Sequence, residues 1–576
     1  MKKTVIIFVG ISLLVGAFSC KKFLDYSPKG VVTGDQLNTA ANADKMVIAA
    51  YATLSNDDWT FPFNHMWPYG SVRGGDAYKG GGSVSDQGQF DQMEKFNLVQ
   101  ADNGGVNTIW SNIYFNIGRV NDAIQRINGV SETDYPNKKI RLAEMRYLRG
   151  HYHFLLKILF KKIPYIDDQV LQDDRGKVGN DVFTDIQLWD KIADDFQYGI
   201  DNLPTNQADV GRANKYAAYA YMAKLKLYEA YEQNASHQVI NINAATLNKV
   251  IAACDAVISS GKYSLVSDFA NNWLYPLSEN NSESIFAVQF SINDGTPNGK
   301  VQMSSGLNYN MATPYGCCSF HAPSQNLVNA FKTDPVTGLP LFDTYNNTLM
   351  RDSIDFWTNG VDPRLDHTIG VPTHPFKYIP TFISQANWQR VPAVYGRYTT
   401  MKEIAQYTSP AFKKVGPFFG SATNWAIIKY NDVLLWKAEA LIELNRQNEA
   451  LPIINQIRTR AANSTGLLKY SNGQPVANYN VKNYVDGVNI NWTKDNARKA
   501  LQYERRLEFA MEGIHFFDLV RWGIAKDFIN AYFSSEKNII ANLNTASFTS
   551  GRDEYFPIPQ SQITYTAGLY KQNPGY

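Results

Sequence analysis

The sequence predicts a mainly α-helical protein whose helices support long, loop-rich insertions. Apolar residues recur at three- and four-residue spacing over two blocks, about 108–262 and 425–523, as amphipathic helices require. The stretches of about 55–105 and 263–424 instead contain scattered Pro and Gly, with short strand-like runs such as Ser284–Phe290. Both stretches are rich in aromatic residues, which argues against disorder. We therefore expect a helical scaffold that presents loops able to build a surface site.

Turn signals divide the two blocks into separate helices. Tyr135-Pro136-Asn137, Ile163-Pro164, Leu203-Pro204 and Gly261 interrupt the apolar pattern of the first block. The predicted helices cover about 108–124, 140–160, 183–203, 216–231, 247–260, 432–444, 449–462 and 496–513. Antiparallel pairs of this length, with Ala and Tyr at contact positions, resemble tetratricopeptide-like helix hairpins. Since no clean repeat period is present, we expect a degenerate repeat.

The N-terminus has the features of an export signal. Lys2 and Lys3 precede the apolar run Val5–Phe18, which is short for a membrane span, and the run ends in Ala17-Phe18-Ser19-Cys20. This pattern is typical of a bacterial lipoprotein that is cleaved before Cys20 and acylated on its sulfur. The alternative is an ordinary signal peptide followed by an incidental cysteine. We expect residues 1–19 to be the signal peptide and residues 20–576 to form one domain.

Composition excludes some partners and favours others. The net charge of +2 provides no field that would attract nucleic acid. Aromatic residues make up 13% of the chain, and the flat faces and polar edges of Tyr and Trp complement the C–H faces and hydroxyl rims of a sugar ring. Composition alone does not distinguish such a binding surface from an aromatic-rich core.

No pattern of catalytic residues is found in the sequence. It lacks His-Glu-x-x-His, a phosphate-binding loop, Gly-x-Ser-x-Gly and paired Cys-x-x-Cys. His151 and His153 are two apart on a predicted helix, so they point to different faces and cannot share a metal ion. Carboxylates adjacent in sequence rarely face each other across a sugar as glycosidases require, and such pairs occur at Asp57-Asp58, Asp167-Asp168 and Asp194-Asp195. We therefore expect no enzyme activity, no cofactor and no metal among the site residues, with a bound Ca²⁺ as the alternative to the last.

Loop carboxylates and a tryptophan–arginine pair are candidate sugar-binding residues. Asp58 stands next to Trp59, and Asp86 lies in a second polar loop. A carboxylate accepts two hydrogen bonds from neighbouring sugar hydroxyls, and its charge strengthens them. Arg390 is the corresponding donor, with Trp388 as a stacking face nearby. The alternatives are that Asp58 and Asp86 serve turn formation and that Arg390 pairs with a structural carboxylate.

Three further features are distinctive. Trp67 stands in the aromatic loop Met66-Trp67-Pro68-Tyr69-Gly70, and we include it among the candidate glycan contacts. Cys317 and Cys318 are adjacent, either as a vicinal disulfide in a strained turn at a ligand site or as two buried thiols. The charged run Glu504–Arg521 has helical spacing, which favours structural ion pairs over catalysis.

Motifs in order along the whole chain resemble the SusD/RagB family. They are Phe23-Leu24-Asp25 with Pro28, Ala143–Phe154, Lys429–Ala440, Ile454–Arg460, Glu504–Phe509 with Glu512-Gly513, Phe517–Trp522, Pro557-Ile558-Pro559 and Asn573–Tyr576. The resemblance implies the SusD-like fold, anchorage at the outer-membrane surface through Cys20, and glycan binding. It also implies a partner, a TonB-dependent transporter of the SusC kind that receives the glycan.

A narrower likeness points to the levan-binding branch of this family. Its motifs are Tyr78–Gly81, Ser291–Gly295, Gly316–His321 and Pro323–Asp334. The branch implies a fructan such as levan as the first ligand to consider. Where fructan binders are expected to have ring-stacking aromatics, this chain has Gly105 and Phe418. The functional alternatives are a surface glycoside hydrolase and a peptide-binding member of the same family.

Overall fold

The computed structural model describes residues 38–56, 58–297 and 299–576, and helices dominate it. The α-helices are α1 Ala40–Ala52, α2 Gly88–Lys95, α3 Gly104–Asn128, α4 Lys138–Phe160, α5 Asp185–Asn202, α6 Lys215–Ala230, α7 Ala244–Ile258, α8 Gln325–Ala330, α9 Asp355–Thr358, α10 Arg364–Thr368, α11 Pro392–Tyr395, α12 Tyr430–Glu443, α13 Gln447–Asn463, α14 Lys494–Glu508, α15 His515–Arg521, α16 Ala525–Glu536 and α17 Gln560–Tyr565. No helix in these described ranges has the length and apolar character needed to cross a membrane.

Side-chain caps fix where the long helices begin. The Asn103 side chain accepts a hydrogen bond from the Val106 amide at the start of α3, and Asn243 caps α7 in the same way. Thr184 and Gln187 form a reciprocal capping box at the start of α5. Each cap satisfies amides that the first helical turn leaves without an intrahelical partner. The predicted helices of the first block are therefore present, with starts that differ by a few residues.

Neighbouring helices in sequence pack against one another. Contacts run from α3 to α4, α4 to α5, α5 to α6 and α6 to α7, and α12 of the second block packs on α7, α13 and α14. This succession of hairpins is the expected scaffold, and one connected cluster of buried apolar side chains extends from Ala43 to Tyr570. Two helices lie outside the predicted blocks: α1, which packs on α3 and α4, and α16.

Strands are short and occur as antiparallel pairs. They are β1 Ala77–Gly80, β2 Tyr231–Gln233, β3 Val239–Ile242, β4 Ser284–Val288, β5 Phe320–Pro323, β6 Lys332–Thr333, β7 Gly360–Val361, β8 Ile369–Gly370, β9 Pro375–Phe376, β10 Ile379–Ile383, β11 Thr399–Thr400, β12 Phe412–Val415, β13 Phe418–Ser421 and β14 Trp425–Lys429. β4 pairs with β14 directly before α12, and β1 pairs with β5. The first pairing closes the long insertion at its base, and the second joins the two loop-rich stretches.

The predicted helix over 496–513 ends early, at Glu508. Met511 and Gly513 have φ values of 64° and 76°, which an α-helix does not allow. A Cβ at Gly70 would lie 1.7 Å from the Gly513 carbonyl oxygen, so the two glycine backbones are in direct contact. The helix ends here because the chain turns to pack against residues 65–72.

The charged run Glu504–Arg521 forms buried ion pairs, which confirms the structural interpretation. Glu508 lies 3.0 Å from Arg364, pairs with Arg460 and accepts a 2.6 Å hydrogen bond from the Asn431 amide. All four side chains are buried. Burial alone would raise the pKa of Glu508, but the two guanidinium groups and the amide lower it to about 2. The network therefore fixes α14 to α12, α13 and the insertion.

His151 and His153 are core residues. His151 Nδ1 lies 2.6 Å from the Tyr221 hydroxyl, and His153 Nε2 accepts a hydrogen bond from the Ile166 amide. Burial lowers the pKa of both imidazoles to about 3. Both are therefore neutral at physiological pH and belong to the scaffold.

Candidate functional site

Trp59 and Phe418 come together although they are far apart in sequence. Their ring centroids are 5.3 Å apart with an interplanar angle of 55°, and both side chains are half-buried. Phe418 begins β13, in the hairpin with β12, and Trp59 lies in the loop after α1. The neighbouring Asp58 accepts 2.6 Å hydrogen bonds from the amide and hydroxyl of Thr60. Asp58 therefore stabilises the turn that holds Trp59, as the turn alternative anticipated.

Asp86 and Arg390 form a second pair at the surface. The Arg390 guanidinium lies 3.3 Å from the Asp86 carboxylate, and their side chains are 44% and 31% exposed. Asp86 also accepts a 2.8 Å hydrogen bond from the Gly82 amide. A Cβ at Gly82 would lie 2.8 Å from Cζ of Arg390, so the guanidinium rests directly on this glycine. The pair positions a carboxylate and a guanidinium side by side, with hydrogen-bonding capacity still open to solvent.

Cys317 and Cys318 form a vicinal disulfide next to this pair. Cys318 is buried, whereas Cys317 is half-buried. The following residue, Ser319, donates a 3.0 Å hydrogen bond to the Trp388 carbonyl and accepts one from the Gly81 amide. The disulfide turn is therefore bonded to both segments that carry the Asp86–Arg390 pair.

Tyr309 connects the disulfide turn to β13. Ser319 donates a backbone hydrogen bond to Tyr309, and the Tyr309 ring packs 5.4 Å from Phe419. Phe418, next to Phe419 on β13, faces Trp59 instead, because successive strand residues point to opposite faces. The structure thus pairs Asp86 with Arg390 next to the disulfide turn, and Trp59 with Phe418 in a separate group on the other face of β13.

Trp67 does not belong to this surface, and the prediction that it contacts a glycan is wrong. Its side chain has no exposed surface, and its indole nitrogen donates a 3.2 Å hydrogen bond to the Ser304 carbonyl. Phe90 and His321 cover the ring, with centroids 5.2 and 5.4 Å away. Residues 67–72 form a π-helical turn in the core, although Pro and Gly in this stretch suggested an exposed loop.

Trp388 is also largely internal. It is 8% exposed, and its ring packs 4.6 Å from Phe382 and 5.6 Å from Phe376. Its carbonyl accepts hydrogen bonds from Ser319 and Met311. Trp388 therefore supports the disulfide turn and Arg390, whereas Phe382 is the ring beside it that remains half-buried.

A group of aromatic side chains that the sequence did not reveal packs against the same buried cluster as Cys317. Phe382, Tyr407 and Phe412 are half-buried and, like Cys317, pack against the cluster that contains Trp388. Phe382 and Tyr407 are 5.0 Å apart in an edge-to-face arrangement. Only the high aromatic content of the insertion pointed to such a group, because these residues share no local pattern.

Gly105, which the sequence analysis singled out, offers no surface contact. Gly105 lies in the first turn of α3, and a Cβ there would meet Gln89 and Met93 at 2.9 and 3.0 Å. Those side chains occupy the space that an aromatic ring at this position would need. Cys20, the predicted lipidation site, lies outside the described residues, as does the signal segment 1–19.

Comparison with known proteins supports this architecture. The family model described as "SusD family" matches residues 282–576, and one described as "Starch-binding associating with outer membrane" matches residues 22–227. The curated SusD-like protein P2 of Formosa agariphila is 23% identical, and the match covers 100% of both chains.

Solved structures show the same fold. A SusD-like protein of Bacteroides fragilis superposes with a TM-score of 0.68 at 18% identity, covering 96% of this chain and 100% of the other. A protein described as a laminarin-binding SusD-like protein gives a TM-score of 0.62 at 20% identity, covering 93% and 100%. The matched residues, the helical scaffold and its closed insertion together show that this chain is a member of the SusD/RagB family.

Proposed function

We propose that this protein binds an oligosaccharide at the cell surface, without cleaving it, and passes it to a TonB-dependent transporter of the SusC kind. A fructan such as levan is the first ligand to test. The observation that carries the proposal is the pairing of partly exposed side chains from distant loops, Trp59 with Phe418 and Asp86 with Arg390. A half-exposed ring offers an apolar face for a sugar, and the ion pair offers a donor and an acceptor for its hydroxyls.

Asp58 and Asp86 are suited to binding a sugar rather than to hydrolysing it. Asp86 already accepts bonds from Gly82 and Arg390, and Asp58 is engaged by Thr60. A glycosidase needs one carboxyl that gives up a proton and a second one facing it across the bond. Neither aspartate has an arrangement that favours that role, whereas both fit the orientation of loops and the binding of hydroxyls.

Isothermal titration tests the ligand class. The purified full chain, kept in detergent, is titrated with levan, inulin, starch, laminarin, mannan and mucin glycans, and the same samples are analysed for cleavage products. Laminarin is included because a structurally similar protein is described as binding it. We expect heat with one glycan and no products. Products would indicate a surface glycoside hydrolase, and no heat with any glycan would contradict the proposed ligand class and favour a peptide ligand.

Substitution tests the location of the site. Hydrogen bonds to charged groups contribute about 1.5–3 kcal/mol, so Arg390→Ala is expected to weaken glycan binding about 10- to 100-fold. Phe418→Ala removes one face of the ring pair and is expected to weaken binding as well. Arg446→Ala is the matched control, because Arg446 is 42% exposed in a local pair with Glu449. Wild-type affinity in Arg390→Ala and Phe418→Ala would place the site elsewhere without contradicting glycan binding.

The membrane anchor and the transporter partner are separate parts of the proposal. Acylation of Cys20 would hold the domain on the outer membrane through buried acyl chains. Cys20→Ser is expected to release the protein from washed outer membranes, whereas Cys254→Ser, which changes a buried thiol in α7, is expected to leave it bound. Retention of Cys20→Ser on the membrane would contradict the lipid anchor. Loss of glycan uptake in cells that carry Cys20→Ser would support delivery to the transporter.

A further inference from the structure

Two histidines and a glutamate meet in the core behind the candidate site. His65 Nε2 lies 2.7 Å from one carboxylate oxygen of Glu403, and His321 Nδ1 lies 2.9 Å from the other. One ligand atom from each residue lies within 4.8 Å of the others. None of the three side chains has any exposed surface. No other group of at least three such residues is found in the described ranges.

Polar atoms around this group lack protein partners. His65 Nδ1, His321 Nε2 and Asn308 Oδ1 are buried and have no hydrogen-bond partner among the described residues. Buried polar groups are rarely left unpaired, so unpaired atoms on both histidines and on Asn308 point to a bound ion or water.

The chemistry of the group selects among cations. Ca²⁺ and Mg²⁺ prefer oxygen ligands, whereas two imidazoles and one carboxylate form a common ligand set for Zn²⁺ and neighbouring transition metals. Asn308 donates a 3.0 Å hydrogen bond to Glu403 and has a free amide oxygen. Because the oxygen and nitrogen of an amide exchange on a flip, Asn308 can supply a fourth, oxygen ligand.

We propose that His65, His321 and Glu403 bind a divalent transition metal ion, with zinc as the preferred ion. Zinc lies about 2.0–2.2 Å from nitrogen and oxygen ligands. Ligand atoms around a tetrahedral ion at that distance are about 3.3 Å apart. His65 Nε2 and His321 Nδ1 lie 2.7 and 3.1 Å from the same Glu403 oxygen, so these two separations would open by a few tenths of an ångström. The two imidazole nitrogens, which lie within 4.8 Å of each other, would move to about 3.3 Å apart.

The position of the ion gives it a structural role. His65 follows the turn that holds Trp59, and His321 lies in β5, three residues after Cys318. Glu403 lies between β11 and Tyr407 of the aromatic group. One ion would thus join three segments that carry the candidate surface. The inference does not depend on the proposed function, because metal content is measured without a glycan.

Metal analysis of the full chain tests the site. The protein is purified in detergent without a polyhistidine tag, loaded with zinc and freed of excess metal. Its zinc content per chain is then measured by inductively coupled plasma mass spectrometry. We expect about one zinc per chain in the wild type, and at least a tenfold lower zinc content in His65→Gln, His321→Gln and Glu403→Gln. His237→Gln is the control, since this buried histidine belongs to no such group, and it should retain the zinc.

Measurements on the wild type keep the proposal testable if the variants do not fold. The X-ray absorption spectrum of the bound zinc should show imidazole nitrogen ligands at about 2.0–2.1 Å from the metal. Removal of the zinc by a chelator should lower the melting temperature of the protein. A folded wild type that retains less than about a tenth of one zinc after loading would refute the proposal. Zinc bound without imidazole ligands would refute it equally. In either case the close contacts of the two histidines with Glu403 would be the complete interaction.

Discussion

Replacing Glu508 with Gln tests the buried ion network quantitatively. The substitution keeps the shape of the side chain but removes the charge that faces Arg364 and Arg460. The pKa of Glu508 falls from an ordinary 4.5 to about 2, because these guanidiniums and the Asn431 amide outweigh the cost of burial. At about 1.4 kcal/mol per pH unit, this difference corresponds to about 3 kcal/mol in favour of the charged form. Loss of one partner from a buried pair costs about 3–5 kcal/mol, which agrees.

We therefore expect Glu508→Gln to lower the free energy of unfolding by about 3 kcal/mol at pH 7, measured as a shift of the urea midpoint at unchanged slope. The contribution of Glu508 is present above pH 4.5 and is lost as the pH falls toward 2, because the unfolded state binds the proton first. Wild type and variant should therefore converge in stability at low pH. Glu449→Gln, in an exposed pair with Arg446, is the matched control and should shift the midpoint little. A difference below about 0.5 kcal/mol between Glu508→Gln and wild type at pH 7 would refute the reasoning.

Three further substitutions test other features. Gly70→Ala should prevent normal folding, seen as loss of the cooperative melting transition, because its Cβ would lie 1.7 Å from the Gly513 carbonyl oxygen; a normal melt would contradict that contact. Gly82→Ala should weaken glycan binding several-fold with little change in melting temperature, since its Cβ would displace Arg390; unchanged affinity would separate Arg390 from the ligand. His151→Gln should make stability less dependent on pH between 6.5 and about 4, by up to about 1.4 kcal/mol per pH unit. Burial lowers the pKa of this histidine to about 3, so protonation of the unfolded state destabilises the wild type as the pH falls; an unchanged slope in urea titrations would contradict this.

Local patterns predicted the scaffold because its helices are amphipathic and capped. α3 and α4 follow directly from apolar spacing and turn residues. The end of α14 at Glu508 could not be predicted in the same way. It depends on the backbone contact between Gly513 and Gly70, which are distant in sequence. Tertiary contacts of this kind override a local helical pattern.

The candidate site shows the same limit. Side-chain chemistry selected Asp86 and Arg390, yet only the structure shows that they pair across 304 residues of chain. Trp67 was misjudged because Pro68 and Gly70 are typical of an exposed loop, whereas here they belong to a buried π-helical turn. The grouping of residues 65, 321 and 403 could not be predicted either, because no local spacing joins them.

The pairing of β4 with β14 has a consequence for how this chain can diverge. Residues 289–424 leave the helices and return to them at neighbouring positions, and the buried pair of Arg364 with Glu508 attaches this segment to α14 as well. The entropy of closing a loop rises only slowly with its length. Insertions or deletions in the exposed loops of this segment, with Arg364 kept in place, would therefore disturb the helices little. Selection can thus change the part of the surface contributed by Cys317, Arg390 and Phe418 while the scaffold is retained.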